Sequence, residues 1–278
     1  MGVLSNFKKN GRTEMNKKYE NQLLQIIEKG IKERVFSVDN TFTEEQKVLK
    51  NNYENHLYMT ECVRLFWSFE EKYDKIATQD EYVQAYKHYS FKYLANKSWY
   101  DDDKDKEFIT KCIEWRADRA YKSNLIELMT VKQLELLGYT VFRHKYIDVV
   151  MGVDLVVVKD NKCWYVHVTK DTDYSRNKMF DKGSYTSKTL DKKNFRFHRN
   201  FTGHVKFLYS CNKGKNNTVK NGLPLFKNDY VLSKLDDKHS FDFNDEYNQL
   251  RRLSRSVIRQ TIEFTSTDNK MVVSETSE

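Results

Sequence analysis

Three side chains of the kind that bind divalent cations lie in the second half of this chain of 278 residues. Asp154 opens the apolar run LVVVK, and His167 follows thirteen residues later within the run KCWYVHVTK. Glu127 lies upstream, in a segment that ends near Gly138. Carboxylates are hard oxygen ligands that suit Mg²⁺, whereas a neutral imidazole prefers softer ions such as Mn²⁺. Side chains of these types can bind Mg²⁺ or Mn²⁺ where a fold brings them together.

The positive charge of the chain is concentrated in the same half. The whole sequence has a net charge of +8, and residues 159–227 contain sixteen lysines and arginines against five aspartates. A basic block attracts phosphate backbones by charge and by counterion release. A solvated, lysine-rich surface is the alternative interpretation. The candidate nucleic-acid-binding residues are Lys178, Lys182, Lys188, Lys192, Lys193, Arg196 and Arg199.

The spacing of apolar residues predicts helices in the first part of the chain. Apolar side chains recur at helical intervals through 16–116, and Thr78 is the predicted N-cap of a helix over 79–95. A loop is predicted over 99–105. The next helix is predicted to end just before Gly138, because a left-handed glycine commonly follows the last turn of a helix.

After this glycine the apolar period changes from about 3.6 to 2, which predicts strands. The short turn Asp160-Asn161 joins two of them into a hairpin. A basic helix is predicted over 245–264, and the fold class is therefore α+β with a central mixed sheet. The predicted strands cover residues 139–145, 153–159, 162–170, 204–211 and 229–235.

The order of the predicted elements resembles that of the PD-(D/E)xK, or restriction-endonuclease-like, nuclease superfamily. This order is a helix, a strand, a hairpin, a basic segment and a further strand. The resemblance covers about residues 117–235 and rests on Glu127 before Gly138-Tyr139, on Gly152-Val153-Asp154 before an apolar strand, and on the partner strand around His167. We accordingly predict four regions. They are a flexible N-terminus (1–15), a helical domain (16–105), a restriction-endonuclease-like domain (106–264) and a disordered tail (265–278).

The resemblance implies a metal-dependent endonuclease that cleaves DNA, from a phage, a mobile element or a defence system. Asp154, His167 and Glu127 would hold Mg²⁺ or Mn²⁺, and Lys170 would complete the catalytic set. The cation would neutralise charge in the transition state and lower the pKa of the attacking water. The chain departs from the family pattern at two positions: His167 replaces the second acid, and Thr169 occupies the lysine position. Lys170 comes one residue late, on the other face of the strand.

Two other hypotheses remain open. The chain could be a catalytically inactive nuclease-fold protein that binds nucleic acid or a protein partner, with Asp154 as a turn residue, Glu127 as an inward-facing helix residue and His167 as a half-buried strand residue. Alternatively, the aromatic-rich helical region could define the function, as a module for a protein partner or a homodimer. The sequence shows neither a signal peptide nor a run that could span a bilayer, so a cytoplasmic location without membrane contact is expected.

Overall fold

The computed structural model describes residues 15–32, 42–55, 65–143, 153–177 and 204–243. Helices dominate the first part of the chain and a mixed sheet the second, which confirms the α+β class. The helices are α1 (Met15–Lys29), α2 (Glu44–Asn55), α3 (Leu65–Tyr73), α4 (Gln79–Leu94), α5 (Asp102–Leu136) and α6 (Asn228–Lys234). The strands are β1 (Thr140–Phe142), β2 (Leu155–Lys159), β3 (Lys162–Lys170), β4 (Val205–Tyr209), β5 (Asn217–Lys220), β6 (Leu223–Phe226) and β7 (Phe241–Asp242).

The helix ends follow from local capping. The Thr78 hydroxyl accepts from the backbone N–H of Glu81, whose carboxylate accepts from the Thr78 N–H in return, so α4 opens with a capping box. The prediction of a loop over 99–105 is wrong at its end, because α5 begins at Asp102. The Asp101 carboxylate accepts the N–H groups of the first turn, and the acidic residues that follow favour the positive end of the helix dipole.

The central sheet has the order β1-β2-β3-β4, and β7 pairs with the beginning of β3. β1, β2 and β3 are antiparallel neighbours, whereas β3 and β4 run parallel. Asp160 and Asn161 both have positive φ, as a tight hairpin turn requires, so the predicted hairpin is confirmed. Gly138 also has a positive φ, of 84°, as predicted for the residue after α5.

Two assignments after β4 need correction. The strand predicted over 229–235 is the helix α6, because Val231 and Leu235, four residues apart, are both buried and thus follow a helical period. The β5–β6 hairpin was not predicted. Its turn is Asn221-Gly222, in which both residues have positive φ. This dipeptide is a strong hairpin signal in a sequence and could have identified the pair.

α5 connects the helical layer to the sheet. It packs against α4 and α2 on one side and against β1, β3 and β6 on the other. The hydrophobic core is one cluster that runs from Leu23 in α1 to Leu235 after α6. The predicted domain boundary between residues 105 and 106 falls within α5, so this helix contributes to the packing of both predicted domains.

The outer edge of β4 is covered by a side chain of α6. The Tyr230 hydroxyl accepts from the Leu208 N–H at 2.9 Å and donates to the Lys206 carbonyl at 3.4 Å. We expect Tyr230→Phe to lower the free energy of unfolding by about 1 kcal/mol, because the edge amide loses its partner. Urea unfolding would measure the change. The control Tyr73→Phe changes a tyrosine on α3 that is 63% exposed, and it should leave the urea midpoint unchanged. Equal urea midpoints for the wild type, Tyr230→Phe and Tyr73→Phe would contradict the expectation.

Candidate functional site

Glu127 takes part in a buried ion-pair network on the α5 side of the sheet. Arg143, directly after β1, donates its Nε–H to Glu127 Oε1 and its Nη1–H to Glu70 Oε1 at 3.0 Å. The Arg143 side chain is fully buried, and its guanidinium lies 3.8 Å from the centre of the Trp67 ring. Burial lowers the pKa of Arg143, but the two carboxylates raise it by more, so the pKa lies above its ordinary value. Glu127 therefore neutralises a buried cation that belongs to the protein.

His167 lies on the opposite face of the sheet. Side chains alternate along a strand, and Trp164, Val166 and Val168 of β3 belong to the core packed under α5. His167 is 1% exposed, and its Nε2 lies 2.9 Å from Nδ1 of His204, with one ring donating to the other. The two imidazoles stack with their centres 5.2 Å apart. The sheet thus separates His167 from the network around Glu127.

Asp154 lies immediately before β2. Its Oδ2 accepts from the backbone N–H of Val168 at 2.6 Å, so the carboxylate is bound to the backbone of β3. The register of the two strands pairs Leu155 with Val166, and its continuation by one residue places Asp154 opposite His167. The structure therefore brings Asp154 next to β3, as the sequence predicted, while Glu127 is bound to Arg143.

Lys170 ends β3 on the α5 side. It is exposed, and its register partner Tyr209 belongs to the core beneath α5. By strand alternation it points away from the face of His167, as expected from its late position. Thr169, at the lysine position of the nuclease pattern, is the penultimate residue of the strand.

The predicted metal ligands do not assemble into a cation site within the described residues. No group of three or more histidine, cysteine, aspartate or glutamate side chains is placed to hold a metal ion in that part of the chain. The three predicted ligands do not form a converging set of oxygen donors for a hard divalent cation, because Glu127 is bound by Arg143 and one oxygen of Asp154 accepts from a backbone amide. The metal role of Asp154, His167 and Glu127 stays a prediction. The seven predicted nucleic-acid-binding residues, from Lys178 to Arg199, lie outside the described residues.

A cleft of about 800 Å³ lies between α5 and the carboxyl ends of β3 and β4. Among the described residues that line it are four cations and one acidic residue, Glu54. We call it the basic cleft. Its cationic residues are Arg116, Arg119, Lys122 and Lys170.

Two of these cations have no carboxylate partner among the described residues. No ion pair joins Arg119 or Lys170 to an acidic side chain in the parts of the chain that the structure describes, and both side chains are exposed. The Arg119 guanidinium lies 4.5 Å from the centre of the Trp115 ring, and Arg116 donates to the Glu54 carbonyl oxygen at 3.3 Å. Unneutralised cations around a concave surface produce a positive potential that attracts anions.

The cations of α5 were not predicted from the sequence. Arg116, Arg119 and Lys122 follow one another at intervals of three residues, which places them along one side of a helix. This spacing is the signal that could have found them. Tyr209 of β4 also lines the cleft and shares a hydrogen bond with Ser123 of α5. Burial raises the pKa of Tyr209 to about 12, so its hydroxyl adds no negative charge to the cleft at neutral pH.

Comparison with known proteins gives no relative from which a role could be carried over. No protein-family model, no curated protein and no solved structure matches the chain. Within the described residues, none of the helices has the length and apolar character needed to cross a lipid bilayer.

Proposed function

We propose that the chain binds nucleic acid through the basic cleft and does not hydrolyse it. The observation that carries this proposal is a concave surface that is lined, among the described residues, by four cations and one acidic residue. Phosphate backbones are bound mainly by lysine and arginine, because each neutralised phosphate releases counterions. The order of the elements around the cleft supports a restriction-endonuclease-like fold. This order is α5, β1, the β2–β3 hairpin and the parallel strand β4.

The contacts of the predicted catalytic residues favour binding over hydrolysis. Phosphodiester hydrolysis by this superfamily needs carboxylates that converge on a cation, with a lysine beside them. Here the Glu127 carboxylate binds Arg143 instead, and the sheet lies between Glu127 and His167. The cation at the end of β3, Lys170, lines the cleft with the arginines of α5. A lysine placed there suits a phosphate contact.

Metal-dependent DNA cleavage by an endonuclease of a phage, mobile element or defence system is the second candidate function. One observation favours it: the continued register of β2 and β3 places Asp154 opposite His167, so a carboxylate and an imidazole occupy paired positions. In such a site Asp154 and His167 would hold Mg²⁺ or Mn²⁺, which would supply a bound water of lowered pKa.

A binding and cleavage assay on the full chain separates the two functions. We expect a labelled DNA oligonucleotide to bind with an affinity that falls steeply between about 50 mM and 200 mM salt. We also expect no product with Mg²⁺ or Mn²⁺, and equal binding by wild type and Asp154→Asn. Cleavage that Asp154→Asn abolishes would establish the second candidate instead. Binding that is absent, or insensitive to salt, would refute the proposed function.

A further inference from the structure

We propose that the basic cleft receives an unpaired nucleotide, so that the chain binds single-stranded in preference to double-stranded nucleic acid. This inference rests on the proposed function and specifies its substrate. A volume of about 800 Å³ lies in the range of sites that enclose one small ligand. A base can enter such a space only when it is unpaired, because a duplex keeps its bases stacked inside and offers phosphates and groove edges.

On the α5 side of the cleft, the planar guanidinium of Arg119 is placed where a base could stack on it. The Arg119 guanidinium lies over the Trp115 ring at 4.5 Å, and Lys50 Nζ lies 5.6 Å from the centre of the same ring. The indole thus holds the guanidinium from one side and preorganises it. A planar guanidinium can stack on an aromatic base with one face while its N–H groups donate to phosphate, which a lysine cannot do.

The wall beyond β3 offers an aromatic ring. Tyr174 lines the cleft and is 70% exposed, so its ring is accessible to a ligand in the cleft. Lys170, four residues earlier, lines the same cleft, so an aromatic ring and a cation lie near each other at its edge. Lys170 has no carboxylate partner among the described residues. Aromatic rings interleaved with cations are the arrangement by which proteins bind single strands without reading their sequence.

The test compares three probes of equal length and sequence: single-stranded DNA, single-stranded RNA and blunt duplex DNA. Binding is measured by anisotropy for the full chain and for Tyr174→Ala, Tyr174→Phe and the control Tyr73→Ala, whose tyrosine is 63% exposed outside the cleft. We expect the wild type to prefer single strands, and Tyr174→Ala to weaken single-strand binding about tenfold with duplex binding unchanged. Tyr174→Phe keeps the ring and should bind like the wild type, as should Tyr73→Ala. The single strand bound more tightly identifies the natural sugar.

The possible failures are distinguishable. Equal, salt-sensitive binding of single strands and duplex, with no effect of Tyr174→Ala, would overturn this inference and leave the proposed function intact. Absence of salt-sensitive binding to all three probes would overturn both. Quenching of tryptophan fluorescence by single strands, lost in Trp115→Phe, would support the placement of the base, since Trp67 and Trp164 are buried away from the cleft and the partly buried Trp99 does not line it.

Discussion

The double variant Arg119→Glu/Lys170→Glu is expected to bind DNA about a hundredfold more weakly than the wild type at low salt. Each replaced cation removes a charge-assisted contact to phosphate that contributes about 1.5 kcal/mol, and about 3 kcal/mol in total corresponds to about a hundredfold in affinity. The slope of log affinity against log salt should also become shallower by about one for each lost contact. Anisotropy titrations at several salt concentrations measure both quantities.

A matched control separates a local contact from the effect of net charge. Lys92→Glu/Lys220→Glu changes the net charge by the same amount at two exposed lysines that do not line the cleft. This control should lose only a small part of the affinity, because neither lysine lines the cleft to contact a bound phosphate, and salt at about 0.1 M screens the longer-range attraction of exposed charges. Equal losses in the two double variants would show that binding is diffuse and that the basic cleft is not the site.

Local patterns in the sequence were sufficient to predict most of the regular elements. The alternation in KCWYVHVTK predicted the strand Lys162–Lys170 with both ends correct, and Gly138 marked the end of α5. These signals depend on neighbouring residues only. The segment 229–235 shows the limit, because DYVLSKL fits a short alternating strand and a helical turn almost equally well. The segment is a helix because helical spacing buries Val231 and Leu235 together in the core.

The candidate site could be predicted in part only, because its contacts are formed between distant segments. The position of Asp154 at the head of β2 and its proximity to β3 follow from the hairpin, so the sequence could reveal them. The partner of Glu127 could not be found in this way. Arg143 is sixteen residues from Glu127, and it is seventy-three from Glu70. No local pattern indicates which of many charged residues will meet across a core.

Arg143→Met is expected to lower the free energy of unfolding by about 3–5 kcal/mol, the usual range when one partner of a buried ion pair is removed. The substitution keeps much of the side-chain volume over Trp67 but leaves the carboxylates of Glu127 and Glu70 buried without their shared cation. Urea or thermal unfolding measures the change. The triple variant Arg143→Met/Glu127→Leu/Glu70→Leu should recover much of the loss, because apolar residues of similar volume often replace a buried ion network at little cost.

Glu127→Gln distinguishes this structural role from the metal role that the sequence suggested. As a partner of Arg143, Glu127 should contribute to stability in the absence of any cation, and its neutral isostere should cost about 2 kcal/mol in buffer that contains a chelator. A metal ligand would behave in the opposite way. Removing one carboxylate from a cluster of acids relieves repulsion in the metal-free protein, so Glu127→Gln would then be neutral or stabilising with chelator and would weaken the response to Mn²⁺. The sign of the change in the free energy of unfolding, measured for Glu127→Gln with chelator, therefore distinguishes the two roles. A loss of stability shows that the Arg143 guanidinium balances the Glu127 carboxylate, and no loss or a gain shows that an external ion does.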